Sequence, residues 1–85
     1  MSTEVKIGTV EKFFAKPSVA AVKVEGELCV GDTVRFKGST TDFTQTIDSM
    51  QIEHAKVDKA NPGDSIGIKV ADRVRPNDEV FKVTD

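Results

Sequence analysis

Apolar and polar positions alternate with period two along most of the chain, in short runs cut by Gly, Pro and Asp. Val5-Lys6-Ile7 alternates, Gly8 interrupts, and Val10-Glu11-Lys12-Phe13-Phe14 resumes with its apolar parity shifted. A glycine at a parity shift predicts a β-bulge, the kink that a curving sheet needs. Lys16-Pro17-Ser18 then breaks the chain, because proline fixes φ and has no ladder donor. In the next run Ala20, Val22 and Val24 share one face and Ala21, Lys23 and Glu25 the other, the pattern of a half-buried strand. Gly26-Glu27 turns, Leu28-Cys29-Val30 is a short apolar step, and Gly31-Asp32 turns again. Thr33-Val34-Arg35-Phe36-Lys37 places Val34 and Phe36 inward, and Gly38-Ser39-Thr40-Thr41 reads as a hairpin connection.

The run from Phe43 to Ile52 is long for one strand. Its inward set begins on odd positions (Phe43, Ile47) and ends on even ones (Met50, Ile52), which predicts a second bulge near Asp48-Ser49. Asn61-Pro62-Gly63-Asp64 is a strong turn, since Pro presets φ and Gly accepts φ > 0. Ile66, Ile68 and Val70 line the following strand, opposite Ser65, Gly67 and Lys69. Arg75-Pro76-Asn77-Asp78 turns once more before Glu79-Val80-Phe81-Lys82-Val83. About six strands joined by polar turns mark a barrel or a sandwich. Two bulges and the small size favour closure, which removes exposed edges. The expected fold is all-β, a closed six-stranded β-barrel, with residues 1–85 as a single domain.

Composition narrows the class. Hydrophobic residues make up 38% and charged residues 31%, as in an ordinary soluble domain. The five aromatics are all Phe, so the Tyr and Trp platforms on which bases often stack are missing. The net charge of −2 argues against generic, charge-driven nucleic-acid binding. The balance is uneven, though: residues 1–41 carry six bases and five acids, residues 42–85 six bases and nine acids. A local basic patch in the first half is compatible with that. Cys29 is the single cysteine, which excludes an intrachain disulfide and fits a reducing compartment. Met1-Ser2-Thr3-Glu4-Val5-Lys6 lacks the apolar core of a signal peptide, and no apolar run reaches transmembrane length. A soluble, cytoplasmic protein with no membrane partner is expected.

The sequence offers little chemistry. His54, beside Glu53, has no evident nucleophile or orienting partner and reads as a strand-end residue rather than a general base. Cys29 lies between Leu28 and Val30 with no neighbouring base, so it reads as packing. Asp32, Asp58, Asp64 and Asp78 sit singly at turns, where turn chemistry accounts for them better than metal ligation. Gly26-Glu27-Leu28-Cys29-Val30-Gly31 has the two glycines of a phosphate-binding loop, but Asp32-Thr33 follows where Lys and Ser or Thr are required. An Asp there would repel the phosphates. The reading is therefore not an enzyme, with no cofactor, metal or nucleotide. What is left is surface: Lys23, Arg35 and Lys37 point outward on neighbouring segments, Lys12 and Lys16 flank the first turn, and Arg73 and Arg75 the last. Outward lysines are commonly just solvated; these seven form the candidate nucleic-acid-binding set, able to hold a phosphate backbone.

Several segments, in order, resemble one known domain. They are Ile7-Gly8-Thr9-Val10-Glu11, then Val19 to Gly26, then Leu28-Cys29-Val30-Gly31-Asp32-Thr33-Val34. Further on come Thr46 to Gln51, Ala60-Asn61-Pro62-Gly63-Asp64-Ser65-Ile66-Gly67-Ile68, and Val74 to Val83. The run is similar to the second, β-barrel domain of the translation GTPases, of elongation factor Tu and initiation factor 2 type. The resemblance implies a six-stranded barrel of the translation-protein type, without the GTPase domain. It also implies a stand-alone, non-catalytic, translation-factor-like binding module. On that reading the partners are tRNA, ribosomal RNA or a translation-associated protein. The same barrel occurs as an appendix on unrelated enzymes, so the alternative is a protein-interaction module docking on an enzyme or factor that lacks its own barrel.

Overall fold

The computed structural model describes residues 3–53 and 55–84; His54 lies outside them. Among the described residues ten strands follow one another: β1 (Thr3–Phe14), β2 (Val19–Val24), β3 (Leu28–Cys29), β4 (Thr33–Lys37), β5 (Asp42–Thr46), β6 (Met50–Ile52), β7 (Ala55–Val57), β8 (Lys59–Ala60), β9 (Ser65–Lys69) and β10 (Glu79–Thr84). Eight of them form one sheet in the order β5-β4-β10-β1-β2-β9-β6-β7, while β3 and β8 pair by themselves. Every pairing is antiparallel. The architecture is all-β, as the alternation requires.

The sheet curls because its longest strand is kinked. The register of β1 shifts between Lys6 and Gly8 against β10, so the bulge expected at Gly8 is present. A second shift lies between Val10 and Lys12 against β2. The bulge expected near Asp48-Ser49 is instead a strand break. β5 ends at Thr46 against β4, and β6 starts at Met50 against β9, so the parity changes because the partner changes. Ile47 spans the break by donating to Asp32 O and accepting from Gly31 N, both at 2.9 Å.

Three turns are built alike and account for Asp32, Asp64 and Asp78 among the four turn aspartates. Asp32, Asp64 and Asp78 each donate their backbone N–H three residues back, to Cys29 O, Asn61 O and Arg75 O. Each carboxylate in return accepts from the backbone N–H of that same residue, at 2.8, 2.9 and 2.8 Å. The residue before the Asp has positive φ in all three: Gly31 at 96°, Gly63 at 95° and Asn77 at 75°. The aspartates are clamps on tight turns, and a strand begins directly after each one.

The inward face of the rolled sheet holds one core, with Leu28, Phe36, Ile47, Met50 and Ile68 among its largest fully buried side chains. Ala20, Val22, Val24, Val34, Ile66 and Val70 are buried as their alternation foretold. Phe43 is only partly buried but stacks on Phe36, with ring centroids 5.1 Å apart. The closed six-stranded barrel is not what the ladders show. Among the described residues no ladder joins the two ends of the eight-stranded sheet. Near that seam the Gln45 side chain of β5 donates to Lys69 O at 2.9 Å and accepts from Ala71 N at 2.7 Å.

Candidate functional site: a groove on the outer face of the sheet

Directly paired residues in an antiparallel ladder point to the same side, so register shows which outward residues meet. One row across the sheet runs Lys12, Ala21, Gly67, Gln51 and Lys56. On one side of it lie Thr9, Lys23 and Ser65, and on the other Phe14, Val19 and Lys69. Ala21 and Gly67 together contribute a single side-chain carbon, so the surface sinks between higher neighbours. Phe14, Pro17, Val19, Gln51, Glu53, Ser65 and Ile66 complete a groove of about 510 Å³. Gly67 is fitted to it: a Cβ there would lie 3.1 Å from Val19 Cγ1. Phe14 is 44% exposed, an unusual position for a large apolar ring, and the Lys12 ammonium sits 5.1 Å from its centre, within cation–π range.

Four lysines stand around this groove: Lys12, Lys23, Lys56 and Lys69, all exposed. Among the described residues none of them forms an ion pair, whereas Lys6, Lys59 and Lys82 are paired with Glu79, Glu27 and Asp32. Lys16 belongs to the turn that carries Pro17. Lys12, Lys16 and Lys23 thus gather at one face. Lys56 and Lys69, absent from the candidate set, join them. Lys69 alternates with buried Ile68 and Val70 in the sequence, which could have marked it; Lys56 becomes visible only through its pairing with Gln51.

The other four candidates lie elsewhere. Lys23 and Arg35 are not on neighbouring strands, because β1 and β10 stand between β2 and β4. Arg35 is occupied: it donates to both Asp42 carboxylate oxygens at 2.8 Å and to Glu4 at 3.1 and 3.2 Å. Hydrogen bonds to Asp42, then to Glu4, raise the pKa of its guanidinium, and the bond from Arg35 lowers that of Asp42. A cation held by two carboxylates offers little to a phosphate. Lys37 faces Glu79 and Asp42 across the ladders. Arg73 and Arg75 line a separate hollow together with Asp42 and Asp72. No three His, Cys, Asp or Glu side chains converge to hold a metal among the described residues. Among the described residues no helix is long and apolar enough to cross a membrane.

With this fold and face in view, the class of domain follows: the chain belongs to the elongation factor Tu domain 2 family, whose profile matches residues 18–73. Its individual relatives are of another kind. It is 37% identical over 92% of its length to the uncharacterized protease MJ0090 of Methanocaldococcus jannaschii, of which that stretch is 19%. It is 33% identical over 93% of its length to a collagenase of Porphyromonas gingivalis, 20% of that protein. The chain therefore spans about a fifth of these curated relatives. Two crystal structures of the C-terminal domain of a putative U32 peptidase from Geobacillus thermoleovorans superpose on it. Their TM-scores are 0.85 and 0.86 at 25% and 26% identity, covering 89% and 91% of this chain and 96% and 90% of the other.

These relatives overturn the translation-factor-like, RNA-binding reading. The residues that carried the resemblance explain why it misled. Gly31-Asp32 and Pro62-Gly63-Asp64 build clamped turns, and Val22, Val24, Val34, Ile66 and Ile68 fill the core. They specify a barrel-type fold wherever it is used.

Proposed function

We propose that this chain is a non-catalytic accessory domain acting with a peptidase of the U32 type. Supporting this most directly is its likeness, along nine-tenths of its length, to a solved domain that is itself the C-terminal part of a putative U32 peptidase. Similarity to about a fifth of proteins named protease and collagenase agrees with it. On this reading its contribution is binding, through the grooves and charge of the described surface, and the hydrolytic chemistry belongs to the peptidase body. Within this reading the rolled sheet is the barrel of its family, with edge strand β5 tied to the end of β9 through Gln45 rather than by a ladder.

The test is an affinity purification of the tagged chain from nuclease-treated lysate, with the co-purifying polypeptides identified by mass spectrometry. A U32 peptidase should be recovered, and the purified chain alone should leave gelatin and casein uncut. Recovery of ribosomes without a peptidase, or proteolysis by the isolated chain, would refute the reading.

A further inference from the structure

The groove over Ala21 and Gly67 combines two properties that a plain solvated sheet face lacks. Its floor and one wall are apolar, formed by Val19, Ala21, Gly67 and the exposed ring of Phe14. Around it stand Lys12, Lys23, Lys56 and Lys69 without carboxylate partners among the described residues. Glu53 is the single acid among the described residues of the lining. The chain as a whole is acidic, at −2, so this concentration of cations is local. The end walls are fixed by tight turns: Ser18, next to Pro17, has φ 55° and Glu53 has φ 50°. Such conformations persist where the surrounding structure imposes them.

We propose that this groove binds an extended acidic peptide segment. An apolar side chain of the ligand sits over Ala21 and Gly67 beside Phe14, and flanking carboxylates face the four lysines. This deepens the accessory-domain reading, and rests on it for a polypeptide as the ligand. Dimensions agree with a peptide. From Lys12 on β1 to Lys56 on β7 there are four strand spacings, about 19 Å at about 4.8 Å each. An extended chain of about six residues covers that distance. A nucleic-acid strand fits less well, because successive bases need successive stacking surfaces and Phe14 is the one aromatic ring among the described residues of the groove. Charge complementarity sets orientation and on-rate, and the apolar contact contributes the part of the affinity that salt does not screen.

The experiment is a fluorescence-polarisation titration of the full chain against a labelled peptide, Glu-Asp-Leu-Asp-Glu. Controls are its Lys-Lys-Leu-Lys-Lys counterpart and a labelled single-stranded oligonucleotide. Saturable binding of the acidic peptide alone is expected. Joint reversal by Lys23→Glu and Lys69→Glu should weaken it at least roughly tenfold, and Phe14→Ala several-fold. All three positions are on the surface, so circular dichroism should show each variant folded. No binding of the acidic peptide overturns the proposal, as does preference for the oligonucleotide. Loss on charge reversal with full binding by Phe14→Ala also overturns it, since charge alone would then be the cause. A chain that fails here yet recovers a U32 peptidase from lysate refutes the groove and leaves the accessory role standing; the reverse pair of results does the opposite.

Discussion

Gly8→Ala should destabilise this domain through space rather than through backbone conformation. Gly8 pairs with Val80 on β10 and with Val24 on β2, beside the bulge where β1 bends. A Cβ built there would lie 2.8 Å from Lys23 O and 2.8 Å from Val22 Cγ1. The first contact is backbone, and β2 is held on its other side by β9 through five paired positions from Val19 to Lys23. Val22 is fully buried, so its side chain has nowhere to turn. Overpacking of this kind costs about 1–3 kcal/mol. Loss of glycine's freedom in the unfolded chain returns about 0.4–1 kcal/mol. A net loss of about 1–2 kcal/mol remains, against a total of about 5–15 kcal/mol for a domain. At this size that lowers Tm by roughly 4–16 °C. Thermal and urea unfolding followed by far-UV circular dichroism would measure it, since the chain has no Trp or Tyr. Gly26→Ala is the internal control: its Cβ would meet Ile7 Cγ2 at an ordinary 3.4 Å, so it should be neutral or slightly stabilising. A Gly8→Ala protein melting with the wild type, or both variants falling equally, would refute the steric argument.

Gly63→Ala separates conformation from space, because φ is 95° and nothing lies within 4 Å of the added Cβ; a loss of about 1–2 kcal/mol in urea titration is expected from the left-handed backbone alone. Gln45→Ala removes both side-chain bonds at the seam and should cost about 1 kcal/mol, with faster hydrogen exchange at the Ala71 amide; unchanged exchange there would show that the seam is held otherwise. The Arg35–Asp42 pair gives a pH signature. The bond from Arg35 lowers the Asp42 pKa in the folded state, so its contribution is present above the unfolded value, about 3.9, and is lost as pH falls through the lower folded value. The Tm difference between wild type and Asp42→Asn should therefore be visible at neutral pH and fade in acid, and a difference that persists below pH of about 2 would contradict it.

How far the fold was legible depended on whether the signal was local. The alternation of Ala20, Val22 and Val24, or of Ile66, Ile68 and Val70, reports directly on which side chains are buried. The Gly-Asp and Pro-Gly-Asp turns carry their own chemistry, and the clamps form where the residues stand. The parity shift at Gly8 meant a bulge because β1 keeps β10 as its partner on both sides of it. The same signal at Asp48-Ser49 meant a break, and nothing within Phe43 to Ile52 says that β5 will pair with β4 while β6 pairs with β9. Partner choice is non-local. The site shows the same division. Lys12 and Lys23 could be placed outward from their own strands, but bringing them to Lys56 and Lys69 requires the order β1-β2-β9-β6-β7.

Function was the least legible level for a related reason. A small rolled sheet spends most of its recognisable residues on turns and core, and those residues recur in every protein that uses the fold. What distinguishes one bearer from another lies on the outward positions, where solvent tolerates nearly any side chain. In this chain the outward positions of β1, β2 and β9 depart from that indifference. Ala21 and Gly67 are smaller than a solvated strand needs, Phe14 is more apolar, and Lys23 and Lys69 are left without counter-ions among the described residues. Small residues in mid-strand forgo packing and β-propensity, and a phenyl ring 44% exposed leaves much apolar surface in water in the free domain. Both make sense together if the missing surface is supplied by something laid across the sheet.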